Sequence, residues 1–159
     1  MKFQLLDRIV EVTPGESLTA IKAVTASEEY LADHFPAFPV LPGVFMLEAM
    51  TEAAAWLVRS TLDFQPTLVL LRQARNVIYK SFVKPGHLLE LQVDCRRMAR
   101  DESEFAGRGT CNGREVVKAR FSLSHGDLTQ RGASLAEVNQ AVAAHFRRQF
   151  AMLTGSPTD

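Results

Sequence analysis

Residues Gly43 to Arg59 constrain this chain more than any other stretch. The run holds Val44, Phe45, Met46, Leu47, Ala49, Met50, Ala53, Ala54, Ala55, Trp56, Leu57 and Val58, with no Gly or Pro after its first residue. It follows Pro42, which suits a first helical turn because the amide that proline lacks would have no partner there. The spacing predicts one long helix that is apolar on nearly every side. Such a helix offers water no face and must be surrounded. It carries Glu48 and Glu52 and falls short of the ~20 apolar residues needed to cross a bilayer, so a buried helix is expected and no membrane span.

The flanking sequence supplies material to surround it. Residues Phe3 to Thr13, the turn signal Pro14-Gly15 and the β-branched stretch Ser17 to Thr25 read as an opening hairpin. From Ala26 to Leu41, Pro36 and Pro39, preceded by Phe35 and Phe38, obstruct both a regular helix and a central strand, which predicts an ordered loop. After Asp63 to Pro66 the chain reads as strands up to Ser124. The clearest has Leu89, Leu91, Val93 and Cys95 alternating with Glu90, Gln92 and Asp94. Asn112-Gly113 joins Glu104–Cys111 to Arg114–Ser124 as a two-residue hairpin. Past Gly126, Ser134 and Glu137 stand in capping-box spacing ahead of Leu135, Val138, Val142, Phe146 and Leu153, an amphipathic helix followed by a tail expected to fray. The expected class is α+β, an antiparallel sheet wrapped around the long apolar helix, with an added C-terminal amphipathic helix. The expected division is a core unit over 1–126 and a helical extension and tail over 127–159. The terminal helix, with Arg147 and Arg148 on its polar side, reads as a cover for a sheet edge or subunit seam. Exposed sheet edges favour pairing of two copies.

Composition removes several function classes. Across 159 residues Lys plus Arg and Asp plus Glu both total 18, so no net field draws nucleic acid or anionic lipid. Cys95 and Cys111 lie in no Cys-x-x-Cys grouping, and His87, His125 and His145 lack metal-site spacing, so reduced structural thiols and no metal are expected. The first residues do not read as a secretion signal, and a cytoplasmic setting is expected.

The chemistry concentrates in Asp33-His34-Phe35-Pro36-Ala37-Phe38-Pro39-Val40-Leu41-Pro42-Gly43 and the helix that follows. His34 heads a Pro-stiffened loop, where an imidazole titrating near neutrality can act as general base. Glu48 is a carboxyl group in an apolar helix, where desolvation would keep it protonated as general acid. The helix start at Gly43 offers free amides and a positive dipole end to a thioester carbonyl. These parts match elimination of water across C2 and C3 of a 3-hydroxyacyl thioester. Phe35, Pro36, Phe38, Pro39, Val44 and Glu52 are the expected pocket residues, and no cofactor is implied.

This segment resembles the signature of bacterial 3-hydroxyacyl-(acyl-carrier-protein) dehydratases of fatty-acid synthesis, His-Phe-Pro-Gly-x-Pro-x-x-Pro-Gly followed by an apolar helix with Glu. His34, Phe35, Pro36, Pro39, Pro42, Gly43 and Glu48 fall in register with it, and Phe82-Val83-Lys84-Pro85-Gly86-His87-Leu88-Leu89 resembles the family's Pro-Gly-Asp-x-Leu turn. The likeness covers roughly Gln4 to Ser124. It implies a hotdog fold and a (3R)-3-hydroxyacyl substrate on acyl carrier protein or coenzyme A, with a trans-2-enoyl product. It also implies a homodimer at least, extendable to a trimer of dimers, whose two sites each combine the histidine of one subunit with the glutamate of the other. Glu48, rather than Asp, resembles the dehydratase branch and not the dehydratase-isomerase branch. Ala37 stands where the family has Gly, Glu52 where it has Gln, and His87 where it has Asp.

Two other functions use the same scaffold. In a hotdog acyl-thioester hydrolase the helix carboxylate would activate water, a task that needs no His34–Glu48 pairing. A non-catalytic acyl-binding or carrier-docking module would keep the pocket without turnover. Arg72, Arg75, Lys80, Lys84, Arg96, Arg97 and Arg100 are candidates for contact with an acidic carrier protein or a phosphopantetheine phosphate.

Overall fold

The computed structural model of the chain describes residues 4–156. Two short strands, β1 (Arg8–Thr13) and β2 (Ser17–Ala23), form the opening hairpin, with Gly15 at φ 76 in its turn. The helix α1 runs over Gly43–Thr61, two residues past the expected end. Four strands follow: β3 (Leu68–Tyr79), β4 (Leu88–Met98), β5 (Glu102–Cys111) and β6 (Arg114–Gly126). They build one six-stranded antiparallel sheet in the order β1-β2-β4-β5-β6-β3. Asn112 and Gly113 both have positive φ, 51 and 74, as the expected two-residue turn requires.

The period of two decides which sheet face meets α1. Leu89, Leu91 and Val93 are fully buried with Phe105, Val117, Phe121 and Leu123, and the helix answers with Met46, Ala49, Met50, Ala53 and Leu57. Contact is close enough to need a glycine on β5. A Cβ on Gly107 would stand 2.6 Å from Met50 Sδ, so the helix can approach only because that side chain is missing. Register shifts within β1, β3, β4 and β6 let the strands bend around the helix.

The side of α1 away from the sheet is covered over only half its length. Toward the C-terminal end, Trp56 is 3% exposed beneath the second helix, α2 (Ala136–Thr154), whose Phe146 and Phe150 rings stand 5.7 and 6.0 Å from it. Arg59 is buried in the same place with its guanidinium 4.0 Å from the Phe146 ring. Arg147 donates to the carboxyl and the backbone oxygen of Asp63 just past α1. Toward the N-terminal end Val44 is 65% exposed and Glu48 is exposed as well. The expectation of a wholly surrounded helix therefore fails on one side of its first two turns, where Val44 and Glu48 are left uncovered while Met46, Ala49 and Met50 stay buried against the sheet.

The start of α2 also departs from the sequence reading. Ser134 lies inside a 3-10 turn, Ala133–Leu135, and α2 begins at Ala136 without a side-chain cap, so the capping box is not formed. The residues before it are held by Asp127, which accepts the amides of Thr129 and Gln130, and by Asn139 Oδ1, which accepts the Leu128 amide. Phe150 completes the buried stripe of α2, whereas Val138 is 49% exposed. Part of the expected frayed tail, 157–159, lies outside the described residues, as does Phe3 at the start of the expected hairpin.

Candidate active site

The loop ahead of α1 is pinned at both ends. A 3-10 turn, Glu29–Leu31, buries Tyr30 and Leu31, and the Tyr30 ring meets Phe45 edge-on at 5.0 Å, which ties the loop to the first turn of α1. The His34 amide donates to Tyr30 O at 3.0 Å. Phe35 follows with φ 50, and the Phe38 amide donates to Phe35 O at 2.8 Å, closing a turn over Pro36-Ala37. The residue that carries the left-handed backbone is thus Phe35 rather than position 37, where the family has Gly. For a bulky side chain that conformation costs about 1–3 kcal/mol, a strain of the kind that collects at functional sites. The Phe35 ring stands edge-on to the His34 imidazole at 4.5 Å, and His34 is half-buried.

Further along, the loop lies against the segment that leaves β3. Phe38 meets Phe82 edge-on at 5.8 Å, Lys84 Nζ sits 4.7 Å over the Phe38 ring, and the Leu41 amide donates to Val83 O at 2.8 Å. Val40, Leu41 and Val83 are buried, while Phe35, Phe38, Phe82, Pro36 and Pro39 stay exposed. Tyr79, outside the motif, also reaches this place. Its ring rests against Gly43, and strand periodicity cannot reveal such a contact.

At the start of α1, Phe45 donates to Pro42 O, while the amides of Gly43 and Val44 precede any intrahelical acceptor. Val44 and Glu48 follow one turn apart on the uncovered side. Glu48 was expected to be desolvated; in the single chain it is exposed, because covering it would take atoms from elsewhere than this chain. No hydrogen bond or ion pair joins it to His34 among the described residues.

Glu52, expected as a pocket residue, has Oε2 committed to the framework. It accepts the backbone N–H groups of Leu5 at 2.7 Å and Leu6 at 3.3 Å, and so fastens the N-terminal segment across α1. Burial pushes its carboxyl above the usual range, and the two amide bonds offset part of that push. Arg59, one turn and three residues on, is lowered to about 10 by burial, with Glu52 acting in the opposite sense.

Recesses among the described residues include two of note. One of about 430 Å³ is lined by residues of the 26–32 segment with Pro39 and Pro85. The other, of about 910 Å³, lies over Arg72, Arg75, Arg96 and Arg120. Neither is lined by His34 or Glu48. The described residues contain no cluster of His, Cys, Asp and Glu fit to hold a metal, and no helix long and apolar enough to cross a membrane.

Comparisons with known proteins converge on one family. Residues 1–120 match the FabA-like domain. The chain is 34% identical over 131 residues to the 3-hydroxyacyl-[acyl-carrier-protein] dehydratase FabZ of Shewanella loihica, spanning 80% of this chain and 86% of that protein. It is 41% identical over 109 residues to FabZ of Variovorax paradoxus, spanning 67% and 73%. Among solved structures, the dehydratase heterocomplex ApeI:P from Xenorhabdus doucetiae superposes with a TM-score of 0.67 at 20% identity, over 84% of this chain and 90% of that one. A hypothetical thioesterase with coenzyme A from Streptococcus pneumoniae superposes with a TM-score of 0.56 at 16% identity, over 78% and 90%. At these identities both structures speak to the fold alone, and the fold is the hotdog arrangement expected from the motif. The chain belongs to the FabA-like domain family, among the relatives of the FabZ 3-hydroxyacyl-[acyl-carrier-protein] dehydratases.

Proposed function

We propose that the chain removes water from a (3R)-3-hydroxyacyl thioester carried on acyl carrier protein, giving the trans-2-enoyl thioester for fatty-acid or related lipid synthesis. His34 takes the C2 proton as general base. Negative charge then builds on the thioester oxygen, where the Gly43 N–H at the start of α1 receives it. The C3–O bond breaks as C2=C3 forms, and Glu48 protonates the departing hydroxyl so that it leaves as water. The proton on the imidazolium returns to solvent, and Glu48 is reprotonated before the next cycle.

The observation that carries this reading is the open first half of α1. A carboxyl group, Glu48, stands one turn from a helix start whose first amides precede any intrahelical acceptor, on the side that this chain leaves uncovered, and the histidine loop is tied to the same turn through Tyr30 and Phe45. A second copy of the chain is the proposed cover. The edge strand β3 presents Leu70, Leu71, Ile78 and Tyr79, each at least 40% exposed, beside an unpaired ladder of backbone groups. Pairing there in a homodimer, with a trimer of dimers as the larger form, would let His34 of one copy serve Glu48 of the other and would supply the desolvation that a general acid needs. On this reading 1–126 is the catalytic unit and 127–159 an extension that covers the far half of α1, in a protein working in the cytoplasm.

The test is hydration of crotonyl and longer 2-enoyl thioesters, on carrier protein and on coenzyme A, followed by loss of enoyl absorbance. Wild-type turnover that falls by about 10²-fold or more in folded His34→Ala and Glu48→Gln proteins supports the reading, in line with what one acid or base contributes. Thioester hydrolysis without hydration, or binding without turnover, overturns it.

A further inference from the structure

Tyr79 ends β3, where its register partner is Val117 on β6. The next two amides, those of Lys80 and Ser81, both donate to Val116 O, at 2.8 and 3.4 Å. The root of the Tyr79 side chain is therefore fixed by the sheet. Its ring meets the first residue of α1: a Cβ built on Gly43 would stand 3.1 Å from Cε1, 3.2 Å from Cδ1 and 3.4 Å from Cγ of that ring. A side chain there would need the ring to yield by a few tenths of an ångström. Four residues on from Tyr79, Val83 O accepts the Leu41 amide, so the same run of chain also holds the residues that lead into the helix.

Gly43 is not in the left-handed region, so backbone conformation does not require glycine at this position. Space favours it. We infer that Tyr79 is a positioning residue for the proposed elimination, its ring setting where the first residue of α1, and hence the Gly43 N–H, stands relative to the sheet. The inference rests on the reaction proposed above. An oxyanion donor works only where the charge develops, and a misplacement of about 1 Å can cost on the order of 10²-fold in rate. The aromatic ring is the working part and the hydroxyl is not needed for it. Partial desolvation of the half-exposed ring pushes the phenol above its usual range.

The test is a set of steady-state measurements of enoyl-thioester hydration on the full chain. Tyr79→Phe keeps the ring and is expected to stay within about threefold of wild type. Tyr79→Ala is expected to lower kcat by about 10- to 100-fold with KM changed less than about threefold, the split that a residue setting the oxyanion donor would show. Gly43→Ala is expected to lose kcat to a similar degree by pushing against the ring. In the double variant, where the ring is gone and the new methyl group has room, the loss is expected to be no larger than that of Tyr79→Ala alone. Should Tyr79→Ala not fold, Tyr79→Leu, which keeps bulk without a planar ring, takes its place in the same cycle. Single losses that multiply in the double variant, or a Tyr79 variant that raises KM at unchanged kcat, would overturn the inference while leaving the elimination reading intact. A wild type that does not hydrate any enoyl thioester would instead overturn the elimination reading, and this inference with it.

Discussion

Glu52 and Leu5 are joined by a 2.7 Å hydrogen bond from the Leu5 backbone N–H to Glu52 Oε2, and the Leu6 amide shares the same oxygen at 3.3 Å. The buried segment that leads into β1 is thus fastened across the middle of α1 by one carboxyl oxygen.

Removing that acceptor should leave two backbone donors without a partner. Glu52→Ala is expected to destabilise the fold by about 1–3 kcal/mol, read from denaturant midpoints. Glu52→Gln keeps an oxygen in place and should preserve the fold. Because burial raises the Glu52 pKa in the folded state, the stability contributed by the protonated carboxyl is fully present below its unfolded value and lost as pH rises through the folded one. The advantage of Gln over Glu should therefore grow with pH across that window and then level off. An advantage that shrinks as pH rises would contradict the assignment.

Phe146 carries much of the contact between α2 and α1, standing against both Trp56 and the buried Arg59 guanidinium. Phe146→Ala should cost about 2–4 kcal/mol through lost aromatic burial and lost cation–π contact. It should leave hydration turnover per folded molecule near wild type, since α2 covers the half of α1 that lies away from Glu48. Equal stability of the variant and wild type in urea would show that α2 is dispensable to the fold.

His125 and Ser103 form a buried pair, Nε2 to Oγ at 2.9 Å, under the end of the sheet. Burial lowers the His125 pKa below its ordinary 6.5, against the opposing pull of Asp101 and Glu102. A depressed folded value means that stability is fully present above about pH 6.5 and is lost as pH falls through the folded pKa. Urea titrations from pH 7.5 down to pH 5 should show that decline in wild type and a flatter profile in His125→Asn. Parallel profiles for the two proteins would place the acid sensitivity elsewhere.

Local signals carried most of the fold into the sequence. Pro14-Gly15 and Asn112-Gly113 mark turns through residues that tolerate positive φ, and the alternation of Leu89, Leu91 and Val93 identifies the buried face of β4. The proposed site is legible only as far as its motif extends, because His34, Gly43 and Glu48 lie within one short segment. What escaped depends on distant partners. Glu52 meets Leu5 across 47 positions, and no local pattern marks that pairing. The Tyr79 ring reaches Gly43 only because β3 and α1 are brought side by side by the sheet. Ser134 has capping-box spacing, yet a 3-10 turn shifts the helix start past it. The uncovered Val44–Glu48 side of α1 could not be foreseen from an apolar pattern, which says that a surface is to be covered and not which molecule covers it.

The central claim is that His34 and Glu48 act together across two copies of the chain, and subunit mixing tests it most directly. His34→Ala and Glu48→Gln proteins, each inactive alone, are combined, exchanged through mild denaturation, and assayed for enoyl-thioester hydration. A mixed dimer would hold one site with both residues intact, so random exchange at equal amounts should restore about a quarter of wild-type activity. Activity that stays at the level of the separate variants, after exchange is verified by differently tagged chains, would contradict the shared site and place the acid and base within a single chain or in other residues.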